Sequence, residues 1–396
     1  MRRRTVPFHS LNSLPPHQSL IRWAAALPQD QNMRAFFMKR LLPTIIISIL
    51  LSSCTTISQS LTLTPTVFPT QTAMSESTLT PIPTTPNIIE TNVLTGNKIG
   101  DVFALAIDPS SSNIVYAGTD SGGVYKSIDG GIAWNVVSVG LNDPAERHVL
   151  ALEVDPAMPT TLYAGTGNGV FKTTDGGGSW YAVNTGMGYS RLVLTLAIDP
   201  ITPTTIYAGT WDGVFKSIDG GNNWHAVNTG LVAEFHFDTW NLAIDPISPT
   251  TLYAVLHNGV FKSIDGGEHW LAINEGLPPS PSFNTLAIDQ ALPTTLYVGT
   301  DYYGIFKSKD GGKNWIESNN GLKYFNVQSI VIDPTNTSIL YAGTGEGIFK
   351  SINGGEKWKE INTGLDKNHV RALELATKKT TILYASINYD VFAIQP

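Results

Sequence analysis

Carboxylates at near-constant spacing are the first residues in this chain that could do chemistry. Asp129, Asp175, Asp219, Asp265, Asp310 and the related Asn353 each stand before a Gly-Gly pair, at steps of 46, 44, 46, 45 and 43 residues. Acid–base and metal chemistry both need the charge, and Asn353 keeps the acceptor oxygen without it. The set therefore reads as hydrogen-bonding turns, in which the side chain accepts N–H groups of its own loop. The glycines supply backbone angles closed to other residues. A tryptophan follows five positions after each acceptor: Trp134, Trp180, Trp224, Trp270, Trp315 and Trp358. It reads as an apolar plug between strands.

A second set lies in segments that break the repetition. Asp120 stands in GTDSGGVY (118–125) and Asp301 in GTDYYGIF (299–306). Both stand in the turn between a second and a third apolar run. The irregular segments also hold Arg147, Tyr189, Arg191, Trp211, His236, Trp240, His257, Tyr302, Tyr303 and Tyr324. Repeat proteins vary where they bind and stay uniform where they pack. Aromatic platforms with polar neighbours suit sugars or peptides. No histidine spacing supports a metal site, so no metal and no cofactor are expected.

The elements that position these residues repeat with the same period. Each unit opens with an apolar run: FALAIDP (103–109), LALEVDP (150–156), LTLAIDP (194–200), WNLAIDP (240–246), NTLAIDQ (284–290), QSIVIDP (328–334) and RALELAT (371–377). A run such as TIYAGT (205–210) follows, then GVFKS (213–217), the Asp-Gly-Gly turn and a stretch led by Trp. Short β-branched and aromatic runs punctuated by Gly, Pro, Asn and Asp read as strands. Four strands in about 45 residues make one propeller blade. The first three runs occur seven times and the Trp-led fourth six times. The expected fold is all-β, a seven-bladed propeller over 88–396. Residues 88–96 supply the missing outer strand of the last blade, which removes an open edge.

The remainder of the chain delivers this domain. Residues 38–54, MKRLLPTIIISILLSSC, give a basic start and an apolar run too short to span a bilayer, ending in Cys54, the single cysteine. Residues 1–53 are read as leader and signal peptide, with the true start at Met33 or Met38. Residues 55–87 hold 11 Thr, 4 Ser and 5 Pro with one charge, Glu76. Such a composition cannot bury a core and reads as a tether, so 54–87 is set apart from the propeller. Of 25 Lys/Arg, seven lie in 1–53, with one of the 32 Asp/Glu, which leaves 18 basic and 31 acidic residues in 54–396. An acidic body argues against nucleic acid as a partner. A monomer is expected.

Two resemblances follow from these residues. Leu51-Ser52-Ser53-Cys54 resembles the lipobox of bacterial lipoprotein signal peptides. That likeness implies lipidation of Cys54, export, and membrane contact through the lipid alone, facing the cell exterior or the periplasm. The Ser-X-Asp-Gly-Gly-X-X-Trp copies resemble the Asp-box (BNR) repeat families over 88–396. Those families include sialidases, xyloglucan-cleaving glycoside hydrolases, the sortilin ectodomain and photosystem II assembly propellers. In them the Asp box lies opposite the functional face, so the likeness implies a fold rather than an activity. A sialidase needs an arginine triad, and after Cys54 the chain has only Arg147, Arg191 and Arg371. GTDSGGVY is similar to the first-blade motif of the xyloglucan enzymes, which puts Asp120 at their catalytic base, although Gly118 replaces the motif's arginine; glycosidic hydrolysis takes two carboxyl groups, and Asp301 in GTDYYGIF is the similar second candidate. The expected function is non-catalytic binding of a glycan or protein. Hydrolysis of a polysaccharide and assembly scaffolding are the alternatives.

Overall fold

The structure is a computed structural model that describes residues 92–188, 191–231, 238–279, 282–362, 365, 369–378 and 380–396, with the side chains of 92–98 left aside. All of these lie in the compact unit Thr85–Pro396. The expected leader, Cys54, the tether, Tyr189 and His236 lie outside the described residues.

Seven four-stranded antiparallel sheets form the blades of a β-propeller. Blade three shows the pattern: an inner strand Val193–Ile198, then Ile206–Thr210, Gly213–Ser217 and an outer strand of two residues, His225–Ala226. The Trp-led stretch is thus a short outer rung, because Trp224 turns away from the ladder before it starts. The inner strands of successive blades pack side by side around the ring, and Val370–Ala376 of blade seven meets Val102–Ile107 of blade one.

The last blade closes the ring as expected, with a shifted boundary. Its outer strand is Asn92–Lys98, paired antiparallel with Asp390–Gln395 from Asn92↔Gln395 to Lys98↔Asp390. The strand runs to Lys98, two residues past the expected end at Gly96, and residues 88–91 of the expected strand lie outside the described residues. The pairing runs up to the turn at Asn388–Tyr389, where Ile99 N–H bonds the Tyr389 carbonyl (3.2 Å), so only residues 99–101 remain to reach blade one. Both Asn92 and Gln395 lie at the end of the blade that carries the Asp-Gly-Gly turns elsewhere, here termed the base.

The core lies between blades rather than inside one. One cluster joins Tyr116 and Val124 of blade one to Leu152, Phe171 and Trp180 of blade two. A fully buried tyrosine in each second strand, from Tyr116 to Tyr384, recurs seven times. Each buried large apolar side chain contributes roughly 1.5–3 kcal/mol. Hydroxyls tie the blades together: Tyr163 donates to the Gly220 carbonyl (3.1 Å), Tyr207 to Gly266 (3.0 Å), and Tyr384 to Ser112 across the closing seam (3.2 Å). The lysine opposite it on the neighbouring third strand, such as Lys172, lies 5.1 Å above the same tyrosine ring and donates to the same Gly220 oxygen (3.0 Å).

The Asp-Gly-Gly turns behave as hydrogen-bonding units. Asp219 Oδ1 accepts from Ser217 Oγ (2.8 Å) and from Asn223 N–H (2.9 Å). Gly220 and Gly221 stand at φ +71° and +90°, where a side chain would be strained. These donors hold the carboxyls of Asp175, Asp219, Asp265 and Asp310 down at about 2, and that of Asp129 is lowered by the same kind of bonds. Asn353 keeps both contacts, from Ser351 Oγ (2.9 Å) and Lys357 N–H (2.9 Å). The tryptophans do more than plug their own hairpins. Trp224 Nε1 donates to the Val183 carbonyl of the preceding blade (2.7 Å), and Trp180, Trp270, Trp315 and Trp358 do the same. Trp134 differs: its Nε1 is buried with no acceptor. Its preceding blade is the seventh, which lacks the regular Trp-led strand.

Candidate ligand-binding face

Opposite the base, the loops between blades and the turns between second and third strands surround the mouth of the central channel. All seven inner strands carry a β-bulge at their second residue, between Val102 and Ala104 in blade one and at the matching place in the others. A bulge re-aims the extra side chain. The bulged residues are Phe103, Leu150, Leu194, Trp240, Asn284, Gln328 and Arg371, and all seven line one cavity of about 250 Å³ at the mouth. They divide by chemistry. Blades one to four give an apolar arc of Phe, Leu, Leu and Trp; blades five to seven give Asn, Gln and Arg.

The polar arc is wired in advance. Asn284 Nδ2 donates to Asp301 Oδ1 (2.8 Å) and to the Val327 carbonyl (3.0 Å), and Gln328 Nε2 reaches the same Asp301 oxygen (3.2 Å). Arg371 stacks its guanidinium 4.3 Å over the Phe103 ring, with Nε 3.6 Å from Asp101 Oδ1. It marks the junction of the two arcs. His369 beside it is held below the usual imidazole range, first by burial and then by the Arg371 charge. One step deeper, Asn241 Oδ1 is buried without a hydrogen-bond partner while its residue lines the same cavity. A buried acceptor left unmet costs about 1–3 kcal/mol, so a donor from ligand or water fits there.

The expected site residues divide in the structure. Trp240, on the inner strand Thr239–Ile244, is in the mouth and 43% exposed. Trp211, Tyr302 and Tyr303 stand exposed in the second-to-third turns of blades three and five, and His257 does so in blade four. Arg191 is exposed just before its inner strand. Arg147 ends a one-turn helix, Pro144–Arg147, and its Nε donates back to the Leu141 carbonyl (3.1 Å). Tyr324 is half-buried and packs edge-on against Phe349 at 6.2 Å, beside the core between blades.

The two candidate carboxylates do not come together. Asp120 sits on blade one and pairs with His148 Nδ1 at 2.9 Å. Asp301 sits on blade five, held by the Asn284 and Gln328 amides. Among the described residues, no group of three or more His, Cys, Asp or Glu side chains is arranged to hold a metal.

Sequence reasoning missed the bulged ring except for Trp240. The signal was the first letter of each apolar run: F, L, L, W, N, Q, R. It also missed Glu153 and Glu374, which replace the alanine of the runs in blades two and seven. Both line one cavity of about 160 Å³ lower in the channel, on either side of blade one. Burial raises both carboxyls well above the usual range, and the Glu374 charge raises Glu153 further.

No protein-family model and no curated protein matches the chain. Solved structures do. An ancestral GH74 enzyme aligns with a TM-score of 0.62 at 19% identity, over 74% of this chain and 44% of that one. The GH74 enzyme of Niastella koreensis gives 0.57 at 22%, over 68% and 46%. YCF48 bound to a D1 peptide gives 0.60 at 15%, over 76% and 96%. The chain thus spans less than half the length of these GH74 enzymes and nearly the whole of YCF48. At such identities the likeness is one of fold: the protein is a seven-bladed β-propeller.

Proposed function

We propose that this chain is an exported lipoprotein, anchored through Cys54, whose propeller binds a glycan or protein ligand without turning it over. The observation that carries this reading is the mouth divided into an apolar and a polar arc. A pyranose offers one flat C–H face and an edge of hydroxyls, which matches Trp240 on one side and Asn284, Gln328 and Arg371 on the other. A peptide with an acidic or amide side chain beside an apolar one meets the same pattern. The peptide-bound YCF48 neighbour favours this second ligand class.

Glycoside hydrolysis is the alternative, favoured by the GH74 neighbours. Against it, hydrolysis needs two carboxyl groups flanking one bond. Asp120 and Asp301 lie three blades apart, and each already has its own partners. Glycan- and peptide-array binding, followed by calorimetry on Trp240→Ala and Arg371→Ala, tests the proposal. The expected result is binding lost in both variants, with no product formed by the parent protein. Turnover that disappears in Asp120→Ala or Asp301→Ala overturns the non-catalytic reading.

A further inference from the structure

Three residues after each bulge, the inner strands hold Ala106, Glu153, Ala197, Ala243, Ala287, Val331 and Glu374. Five are apolar, and the two carboxyls are the exceptions. Glu374 lines the cavities lower in the channel. Glu153, on the inner strand Val149–Val154, lines both the mouth cavity and the space below it. It therefore forms part of the floor of the mouth. Among the described residues its carboxyl has no hydrogen-bond or ion-pair partner, and burial with the Glu374 charge holds it up at about 8. A buried carboxyl in this state lacks the opposite charge that would let it ionise.

The other polar groups of the mouth also lack a donor. Asn284 Nδ2 is committed to Asp301 Oδ1 and the Val327 carbonyl, and Gln328 Nε2 to Asp301 Oδ1 and Asn326 Oδ1. Each amide therefore keeps only its oxygen for a ligand. Asn241 Oδ1 is a third amide oxygen on the same cavity, buried and unmet. Arg371 already faces Asp101 and the Phe103 ring. What the cavity still lacks is a positively charged donor. Among the described residues no third acidic or histidine side chain joins Glu153 to hold a metal. Depth selects the kind of cation. Leu150 at the rim and Glu153 on the floor are three residues apart along one strand, about 10 Å. An amino sugar lying on Trp240 holds its ammonium close to the ring and stops short of the floor. A lysine carries its three donors at the end of a flexible apolar stem, which suits the small side chains Ala104, Ala151 and Ala372 between rim and floor. We propose that the mouth accepts a lysine side chain of a protein ligand, with its ammonium paired to Glu153 and its stem against the apolar arc. This inference rests on the reading of the mouth as the binding site.

The test titrates three probes into the full chain by ligand-observed NMR at pH 7: Nα-acetyl-lysine methylamide, its Nε-acetylated form, and glucosamine. The proteins compared are the parent, Glu153→Gln, Glu153→Ala and Trp240→Ala. Alanine is what blades one, three, four and five hold at this position, so the fold already accommodates it. The expected result is that the lysine probe binds the parent. Its affinity falls at least about tenfold on Nε-acetylation and in both Glu153 variants. Failure of the lysine probe to bind the parent overturns the proposal. So does binding that is unchanged in both Glu153 variants. Glucosamine binding that depends on Glu153 assigns the ammonium to an amino sugar and overturns the lysine. Failure of the mouth as a binding site has a different signature: a ligand found on the arrays then binds parent and Trp240→Ala protein equally. A ligand lost in Trp240→Ala but kept in Glu153→Gln leaves the mouth as the site and overturns the lysine pocket alone.

Discussion

The two faces of this propeller are built from the same seven blades and behave oppositely. At the base, one arrangement is copied: acceptor, two glycines, tryptophan, and a tyrosine hydroxyl reaching the next blade. At the mouth, the same strand position holds Phe, Leu, Leu, Trp, Asn, Gln and Arg in turn. Uniformity marks the side where blades must fasten to each other. Divergence marks the side where nothing in the ring constrains the side chain, because the bulge lifts it into the channel. The comparison also separates two tryptophans on neighbouring blades, Trp224 as fastener and Trp240 as platform.

The largest effect should come from removing the closure, which both faces share. Deletion of residues 92–98 leaves the third strand of blade seven as an open edge and breaks the ring. The expected result is loss of the single cooperative transition in a calorimetric melt; a melt like that of the parent protein counts against the closure. Next comes the pair of tryptophans. Trp224→Ala removes a buried ring and its bond to Val183, and should cost about 3–5 kcal/mol, a fall in Tm of roughly 8 °C. Trp240→Ala should leave the Tm within about 1 °C and abolish ligand binding. Equal thermal effects of the two substitutions would erase the distinction between the faces.

A smaller effect concerns the channel between the faces. Burial pushes Glu153 up to about 8 and Glu374 up to about 7. Both folded values lie above the unfolded carboxylate, so the folded state holds protons more tightly. Stability from this pair is fully present below about pH 4.5 and is lost as pH rises through 7 and 8. Glu153→Gln should flatten that loss and raise the Tm at pH 8 by roughly 4 °C, with little change at pH 5. Melts at the two pH values check the sign. The smallest effect is expected at the base. Asp310→Asn keeps the acceptor, as Asn353 already does, and should move the Tm by about 1 °C or less at pH 7.

Much of the fold was legible because a blade is a local object. Four runs, their turns and the 45-residue period are all encoded within one stretch of chain. Counting runs gave seven blades and located the missing strand at the other end. The closing strand ends two residues later than expected, because register depends on a partner some 300 positions away. The site was legible only as a region. Irregular loops pointed to the mouth and to Trp211, Trp240, Tyr302 and Tyr303. Tyr324 carried the same signal and turned out to pack on the core. Asn284, Gln328, Arg371, Glu153 and Glu374 were hidden inside apolar runs.

By itself, then, the sequence determined the blade, the number of blades and the role of the Asp-Gly-Gly turns, since each rests on hydrogen bonds and packing between near neighbours in the chain. Only the tertiary structure decided which side chains share the channel. Seven residues spaced about 45 positions apart become neighbours when the ring closes, and the bulge that aims them inward is a property of strand pairing, invisible in any one run. The same closure placed Glu153 and Glu374 in one cavity.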